Sequence, residues 1–187
     1  MPLPEPDSPR EELHLRDIRM RGYRRADGGF DIEGSLIDRK QQPFQVTVGP
    51  LVPALAPIHE VAARLTIDLD YQVLAVSGTS DTVPYAACHQ AGPGLQVLVG
   101  LSVADNWARA VRARLGDGQG CSHMIELVIA LGTVAFQTLV PLRRHKPEAR
   151  VPGGKPFLLN HCMAFREDGP VAALRWPELV KRPDRAD

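Results

Sequence analysis

A glycine-rich break in the sequence is followed by Gly120-Cys121-Ser122-His123-Met124-Ile125-Glu126, which opens a nearly all-apolar stretch running to about Leu139. A helix that is apolar around most of its circumference is too hydrophobic for a surface position and packs inside the protein. The sequence therefore predicts a core helix that starts near Ser122 and packs centrally across a sheet.

One face of this predicted helix carries hydrogen-bonding groups. Residues that step by three or four positions share a helix face. Polar groups on a buried helix need partners, so a polar network, a metal or an enclosed ligand cavity is the usual reason for such a line. We therefore predict an interior pocket between this helix and the sheet. The stepped residues are His123, Glu126, Ala130, Thr133 and Gln137.

Alternating apolar residues predict the strands of that sheet. The clearest strand is His59–Leu69, in which the odd positions form one apolar face and His59 lies on that face. A turn at Asp70-Tyr71-Gln72 leads into Val73–Val76, which predicts a hairpin.

A second hairpin is predicted upstream of the first. The even positions of Phe30–Asp38 are largely apolar, and the same period returns over 44–48 after a short polar break. Asp38 shares the parity of the apolar residues, so it either marks the strand end or faces inward with a partner. Because aspartate is rarely fully buried, we favour the strand end.

These elements predict an α+β fold in which an antiparallel sheet of hairpins packs on two helices, one of them the buried core helix. The other helix has an N-cap at Ser102 and stops at Gly116, and Phe157–Arg166 is predicted to return as a strand. The predicted organisation is a flexible N-terminal arm over 1–16, a single globular domain over 17–176 and a flexible tail over 177–187.

The composition limits which binding partners and which cellular compartment are expected for the protein. Lysine plus arginine number 22 and aspartate plus glutamate also 22, so no net field would concentrate nucleic acid or an anionic membrane. No apolar run approaches the ~20 residues of a bilayer span, and the N-terminus lacks a secretory signal. Three widely spaced cysteines fit a reducing compartment. We therefore predict a cytoplasmic protein with a small-molecule partner, without nucleic acid or membrane as partners, and the edge strand Ile18–Tyr23 leaves a homo-oligomer open.

A set of short sequence blocks occurs in a fixed order over Ile18–Arg166. The blocks are Gly22-Tyr23-Arg24-Arg25, Asp27-Gly28, Ile32-Glu33-Gly34, Asp38, Ile58-His59, Arg64-Leu65, Asp68, Cys88, Trp107, Gly120-Cys121-Ser122-His123, Glu126 and Cys162. With these blocks the sequence resembles a bacterial family catalogued as domain of unknown function 2889, although Ser122 and Met124 stand where that family has Thr and Leu, and Met163 stands where a His is common. The resemblance implies a shared fold and site, and family members among catabolic genes favour a small-molecule enzyme.

An acid–base site is the first functional hypothesis. His59 on the inward strand face, with His123 and Glu126 on the core helix, could move a proton in either direction. An arginine nearby could hold a substrate anion. Such a set suits a non-redox lyase that acts by deprotonation or retro-aldol cleavage on an aromatic compound and needs no cofactor. The predicted substrate-binding residues are Arg24, Arg25, Asp38, Arg64 and Cys121.

Three other interpretations stay open at this point. A metal or iron–sulfur protein would take zinc or iron through Cys88, Cys121, His123 and Cys162, although no compact Cys-x2–4-Cys pair is present. A non-catalytic module would only capture a hydrophobic ligand. A buried His–Glu–Arg network would only fix the packing.

Overall fold

The computed structural model of the chain describes residues 3–143, 145–148, 150 and 153–179. The chain divides into two compact units, Met1–Pro141 and Leu142–Asp187, and each is described by itself. A single domain over 17–176 stays a prediction, and the part of the predicted tail from residue 180 onward lies outside the described residues.

An antiparallel four-stranded sheet is the centre of the first unit, and its strands follow the order β1-β2-β5-β6. A separate two-stranded ladder, β3 with β4, lies in the connection between β2 and β5. The strands are β1 His14–Arg24, β2 Phe30–Lys40, β3 Phe44–Gln45, β4 Leu51–Val52, β5 Pro57–Ile67 and β6 Val73–Thr82. The described α-helices are α1 Ala91–Gly94, α2 Trp107–Leu115, α3 Ser122–Leu139 and α4 Pro170–Arg175. The predicted α+β class is confirmed.

The pairing of β2 differs from the upstream hairpin that the sequence predicted. β2 pairs with β1 and β5, whereas Phe44–Gln45 pairs with Leu51–Val52. The hairpin joins β1 to β2 instead, through a turn in which Gly28 has φ 90°, a left-handed conformation that glycine adopts readily. As a result β1 starts at His14, inside the segment predicted to be a flexible arm.

The core lies between one face of the sheet and α3. Leu127 and Leu131 of α3 approach β2 where it has Gly34, since a Cβ there would lie only 2.9 Å from a Cδ atom of each leucine. The indole of Trp107 in α2 donates a hydrogen bond of 3.0 Å to the carbonyl of Val128 in α3. The core helix is therefore confirmed, and α2 packs against it.

The first residue of α2 and the position of the polar residues along α3 differ from the sequence predictions. α2 begins at Trp107 after Asn106, which has φ 45°, rather than at an N-cap on Ser102. On α3 the residues Glu126, Thr133 and Gln137 are exposed, so the polar line is mostly the solvent-facing stripe of a helix whose opposite side is in the core. The prediction of a polar line directed into the core is wrong beyond His123.

The length of the apolar helix also departs from the sequence prediction. The span Ser122–Leu142 has 21 residues with a mean hydropathy of 1.8 in its most apolar window, which by length and composition is enough to cross a membrane. The prediction that no apolar run approaches that length is wrong, because scattered polar residues hide the span from a count of consecutive apolar ones. Core helices of soluble proteins have the same character, and α3 packs on the sheet through its buried side chains.

The second unit is built around Trp176, which is buried together with Ala172 of α4. Its indole donates a hydrogen bond of 2.6 Å to Glu148. The predicted strand Phe157–Arg166 is wrong: the segment forms turns and a short 3₁₀ helix, and Asn160 has φ 60°, which does not fit an extended strand.

Candidate functional site

Asp38 is the centre of a charged cluster at one end of the sheet. β2 continues beyond it to Lys40, so Asp38 keeps the inward parity of Ile32 and Leu36 and is only 2% exposed. The favoured interpretation of Asp38 as a strand end is therefore wrong, and the inward alternative is confirmed. A buried carboxylate needs charged or hydrogen-bonding partners, and the neighbouring strands and α3 supply them.

Arg16 on β1 is the strongest partner of Asp38. The two residues face each other across the β1–β2 ladder, and the guanidinium donates to both carboxylate oxygens, with Nε–Oδ1 at 2.7 Å and Nη2–Oδ2 at 2.9 Å. The remaining Nη1 reaches Glu126 Oε2 at 3.0 Å. Arg16 thus links β1, β2 and α3 in a bidentate arrangement that fixes the carboxylate plane.

Three imidazoles surround the same carboxylate. His14 Nε2 lies 3.2 Å from Oδ1, while His59 Nδ1 and His123 Nε2 each lie 3.3 Å from Oδ2. The His59 and His123 rings are stacked, with centroids 3.8 Å apart and planes inclined by 29°. The sequence prediction that the strand histidine and the helix histidine meet is thus consistent with the structure.

The pKa values of the two stacked rings shift in opposite directions. Burial lowers the pKa of His59 from its ordinary value of 6.5, and the charge of His123 lowers it further against the attraction of Asp38. The hydrogen bond with Cys121 is the largest effect that raises the pKa of His123 above 6.5, and the Asp38 carboxylate adds to it although burial opposes. Near neutral pH, His59 is therefore the uncharged ring and His123 the one that holds a proton more readily.

Asp38 and Cys121 are held toward their anionic forms. Burial alone would raise the pKa of Asp38, but the hydrogen bonds and charge of Arg16 outweigh it, and the net pKa is lowered from 3.8. Cys121 immediately precedes α3, and its Sγ lies 3.6 Å from Nδ1 of His123. This hydrogen bond is the main reason why the pKa of the thiol is lowered from 9.0. In the cluster each acidic group, Asp38 or Cys121, is therefore in contact with at least one basic side chain.

The setting of the cluster is more open than the sequence predicted. The side chains of His59 and His123 are 18% and 20% exposed, and that of His14 is 41% exposed. An open groove of about 390 Å³ lies on the opposite face of the sheet, and none of the cluster residues lines it. The two imidazoles thus meet at the rim of the sheet–helix interface, where both are partly exposed to solvent.

The predicted substrate-binding arginines lie elsewhere. Arg24 is at the far end of β1 and pairs with Phe30, whereas Arg16 pairs with Asp38. The side chain of Arg25 binds Asp27 and Asp31, and Arg64 binds Glu33 on the outer face of the sheet. Of the five predicted substrate-binding residues, the cluster therefore contains only Asp38 and Cys121. Glu126, predicted to be catalytic, contacts the cluster through Arg16 while remaining exposed.

A metal could be held by Asp38, His59 and His123. Their ligand atoms lie within 4.8 Å of one another, and no other group of three such residues occurs in the described part of the chain. Ligands at ~2.0–2.1 Å from a tetrahedral zinc ion are separated by about 3.3 Å, which matches the two carboxylate-to-imidazole distances of 3.3 Å. Of the predicted ligands, His123 belongs to this group, whereas Cys88 and Cys121 of the same unit lie outside it. Cys162 is an exposed thiol of the second unit.

His14 and Arg16 are the site residues that the sequence analysis missed. Both precede the boundary at which composition predicts the folded body to begin, so they were assigned to the arm. A signal was available in the spacing of these residues. His14 and Arg16 continue the every-second-residue pattern of Ile18 and Met20, so an edge strand extended backward by four residues from Ile18 includes both.

Comparison with known proteins gives a family and no further relative. No curated protein and no solved structure matches the chain. The sequence pattern of the family described as "Protein of unknown function (DUF2889)" matches residues 14–137, which span β1 through almost all of α3 and include every residue of the Asp38 cluster. The chain therefore belongs to the DUF2889 family.

Proposed function

We propose that the Asp38 cluster is the acid–base centre of an enzyme that acts on a small molecule. The observation that carries this proposal is the stacking of two imidazoles over one buried carboxylate. Paired titratable groups whose surroundings move their pKa values apart are the usual arrangement of a general base beside a general acid. His59 and His123 are such a pair, because their pKa values move in opposite directions.

In this proposal the two imidazoles have different tasks. The Asp38 carboxylate favours a proton on Nδ1 of His59, which leaves the lone pair of that ring on Nε2 as the base. His123 directs Nε2 toward Asp38 and Nδ1 toward Cys121, so the His123–Cys121 pair is the acid. Arg16 holds Asp38 in place and is a positioning residue.

A non-redox lyase is the reaction class that this pair supports best. In a retro-aldol cleavage, His59 accepts the proton of a hydroxyl group, that oxygen becomes a carbonyl, and the adjacent carbon–carbon bond breaks. The electron pair passes to the other carbon or its conjugated acceptor, and the acid pair protonates it. Each general acid or base in such a step is commonly worth ~10²–10⁴-fold in rate. The proposed substrate is an aromatic compound, and the proposed role is in bacterial catabolism in the cytoplasm.

A substrate panel tests the proposal. Purified protein is incubated with aromatic compounds that carry a hydroxyl group β to an electron-accepting centre, and the carbonyl product is detected by mass spectrometry. We expect turnover by the wild type and losses of at least about a hundredfold in His59→Gln and His123→Gln. The matched control is His89→Gln, because His89 bonds the Ser80 carbonyl and is no part of the cluster. Full turnover by both cluster variants, or a ligand that is bound tightly and recovered unchanged, contradicts the proposal.

A metal site is the second candidate function, and two observations favour it. Asp38 Oδ2 lies 3.3 Å from a nitrogen of each imidazole, and the three ligand atoms lie within 4.8 Å of one another. In addition, the buried Nδ1 of His59 has no hydrogen-bond partner among the described residues, although a carboxylate oxygen lies at ion-pair distance. Elemental analysis of untagged protein tests this candidate. Stoichiometric zinc or iron that is lost in His59→Gln and retained in Cys88→Ala supports it, and metal-free protein after growth in zinc- and iron-supplemented medium contradicts it.

A further inference from the structure

The outer face of the sheet carries a charged groove that the Asp38 cluster does not use. Its volume of about 390 Å³ is within the ~300–1,000 Å³ typical of small-molecule sites. Small residues form its floor, and larger basic and aromatic side chains rise around them. The floor is made of Ser35, Ala62, Ser77 and Thr79, and the rim is made of Arg19, Arg21, Tyr23, Glu33 and Arg64.

The strand register explains why these side chains converge. Arg19 lies across from Ser35, which lies across from Ala62, and in the next row Arg21, Glu33 and Arg64 follow one another on adjacent strands. Neighbouring strands are ~4.8 Å apart and same-face residues of one strand ~7 Å apart. The three guanidiniums therefore start from backbone positions within about 12 Å of one another, around a shallow floor.

The charge of the groove is unbalanced. Three arginines line it, with Glu33 as the single carboxylate, and that carboxylate is bound by Arg64 at 2.7 Å. Within the part of the chain that the structure describes, Arg19 has no ion pair. Arg21 lies across the ladder from Glu33, and in the described residues it has no ion pair either. Two guanidiniums are thus available to an anion, with hydroxyl donors on the floor.

Acidic residues in the cross-strand rows on either side of the groove limit the size of that anion. Asp31 follows on one side of the groove, across from Tyr23, and Asp17 and Glu60 follow on the other side. An extended polyanion lying along the sheet would meet these carboxylates, whereas a compact anion meets only the arginines. The groove also has room for more than a bare phosphate, and the Tyr23 ring offers an apolar contact beside the charges.

We propose that this groove binds a small organic dianion, a compound carrying a phosphate group or two adjacent carboxylates. The planar guanidiniums of Arg19 and Arg21 bind its oxygens through paired N–H donors. Ser35 and Thr79 donate from the floor, and the carbon skeleton lies toward Tyr23. This site lies on the opposite sheet face from the Asp38 cluster and stands independently of the acid–base proposal.

Calorimetric titration at low salt tests the proposal with two probes. Benzene-1,2-dicarboxylate represents a dicarboxylate ligand and inorganic phosphate represents a phosphorylated one, so the tighter probe identifies the chemical source of the charge. We expect at least one probe to bind the wild type and to lose about tenfold in affinity in Arg19→Gln or Arg21→Gln, the usual scale for one charged hydrogen-bonding partner. Ala62→Leu fills the floor and should abolish binding while the exposed arginines remain.

Two control variants and a competing ligand make the test decisive. Arg39→Gln removes an outer-face arginine that pairs with Asp17 and does not line the groove, so it should bind as the wild type does. His59→Gln should also bind normally, which separates this site from the acid–base centre. The proposal is overturned if neither probe binds the wild type, if Arg39→Gln weakens binding as much as Arg19→Gln, or if a short DNA duplex binds through the same arginines more tightly than both probes.

Discussion

The two faces of the central sheet use charge in opposite ways, although the same strands build both. On the inner face one buried carboxylate, Asp38, is shared by Arg16 and three imidazoles. On the outer face three exposed arginines surround one carboxylate, Glu33. Burial makes an unpaired charge expensive, so the inner groups satisfy one another and become fixed. Exposure removes that requirement, so the outer guanidiniums keep donors for a ligand.

The largest expected effect comes from removing the shared carboxylate of the inner face. Asp38→Asn should lower the free energy of unfolding by about 3 kcal/mol at pH 7, because it leaves the Arg16 cation and its imidazole neighbours without their common anion. Glu33→Gln is the matched outer-face change and should cost less than about 1 kcal/mol, since its ion pair is solvated. Urea denaturation of both variants measures the difference. Equal losses would mean that burial does not distinguish the two carboxylates.

A steric change at adjacent residues of β2 sharpens the same comparison. Gly34→Ala places a methyl group 2.9 Å from Cδ atoms of Leu127 and Leu131, which are fully packed in the core. Overpacking of this kind costs ~1–3 kcal/mol. Ser35→Ala, on the outer face, should change the unfolding free energy by no more than about 0.5 kcal/mol. A thermal unfolding midpoint for Gly34→Ala as high as that of Ser35→Ala would show that α3 is not seated as closely as described.

The two stacked imidazoles should change the pH dependence of stability with opposite signs. His59 has a lowered pKa, so the folded state binds fewer protons than the unfolded state and stability falls as the pH drops below 6.5 toward that lowered value. His123 has a raised pKa, so its contribution is fully present below 6.5 and is lost as the pH rises through the raised value.

Unfolding free energies measured between about pH 5 and 8 test these signs. His59→Gln should flatten the decline on the acid side, and His123→Gln should flatten the decline on the alkaline side. The same sign for both cluster variants would contradict the assignment of base and acid.

The sequence predicted the elements of the fold better than their pairing. Period-two and period-four patterns are local, so Pro57–Ile67 and Ser122–Leu139 are recognisable as strand and helix from their own residues. The partner of a strand depends on residues far away in sequence. For that reason the sequence analysis paired Phe30–Asp38 with the segment after it, while its actual neighbours are β1 and β5.

The residues of the candidate site could likewise be predicted only where a local sequence pattern marks them. His59 and His123 were identifiable because a polar residue interrupts an apolar face or opens an apolar helix, and that interruption is visible locally. Arg16 was not identifiable, because an exposed-looking arginine in a charged segment has no local mark of its buried partner 22 residues away. Which arginine reaches an inward carboxylate is decided by the strand register, and the register depends on residues that are far apart in sequence.

The smallest expected effect concerns the thiol that tunes the inner cluster. Cys121→Ala removes the hydrogen bond that contributes most to the raised pKa of His123, so the pKa of that ring should fall toward 6.5 while the fold is retained. Cys121→Ser restores a hydrogen-bonding group but not the readily ionised thiol, so its His123 should titrate between those of the wild type and Cys121→Ala. Titration of the His123 imidazole resonances by NMR in the three proteins measures this order of pKa values. The charge of His123 lowers the pKa of His59. Because His123 in Cys121→Ala carries its charge over a narrower pH range, the pKa of His59 should rise in that variant. An unchanged pKa of His59 would mean that the two stacked rings do not sense each other's protonation.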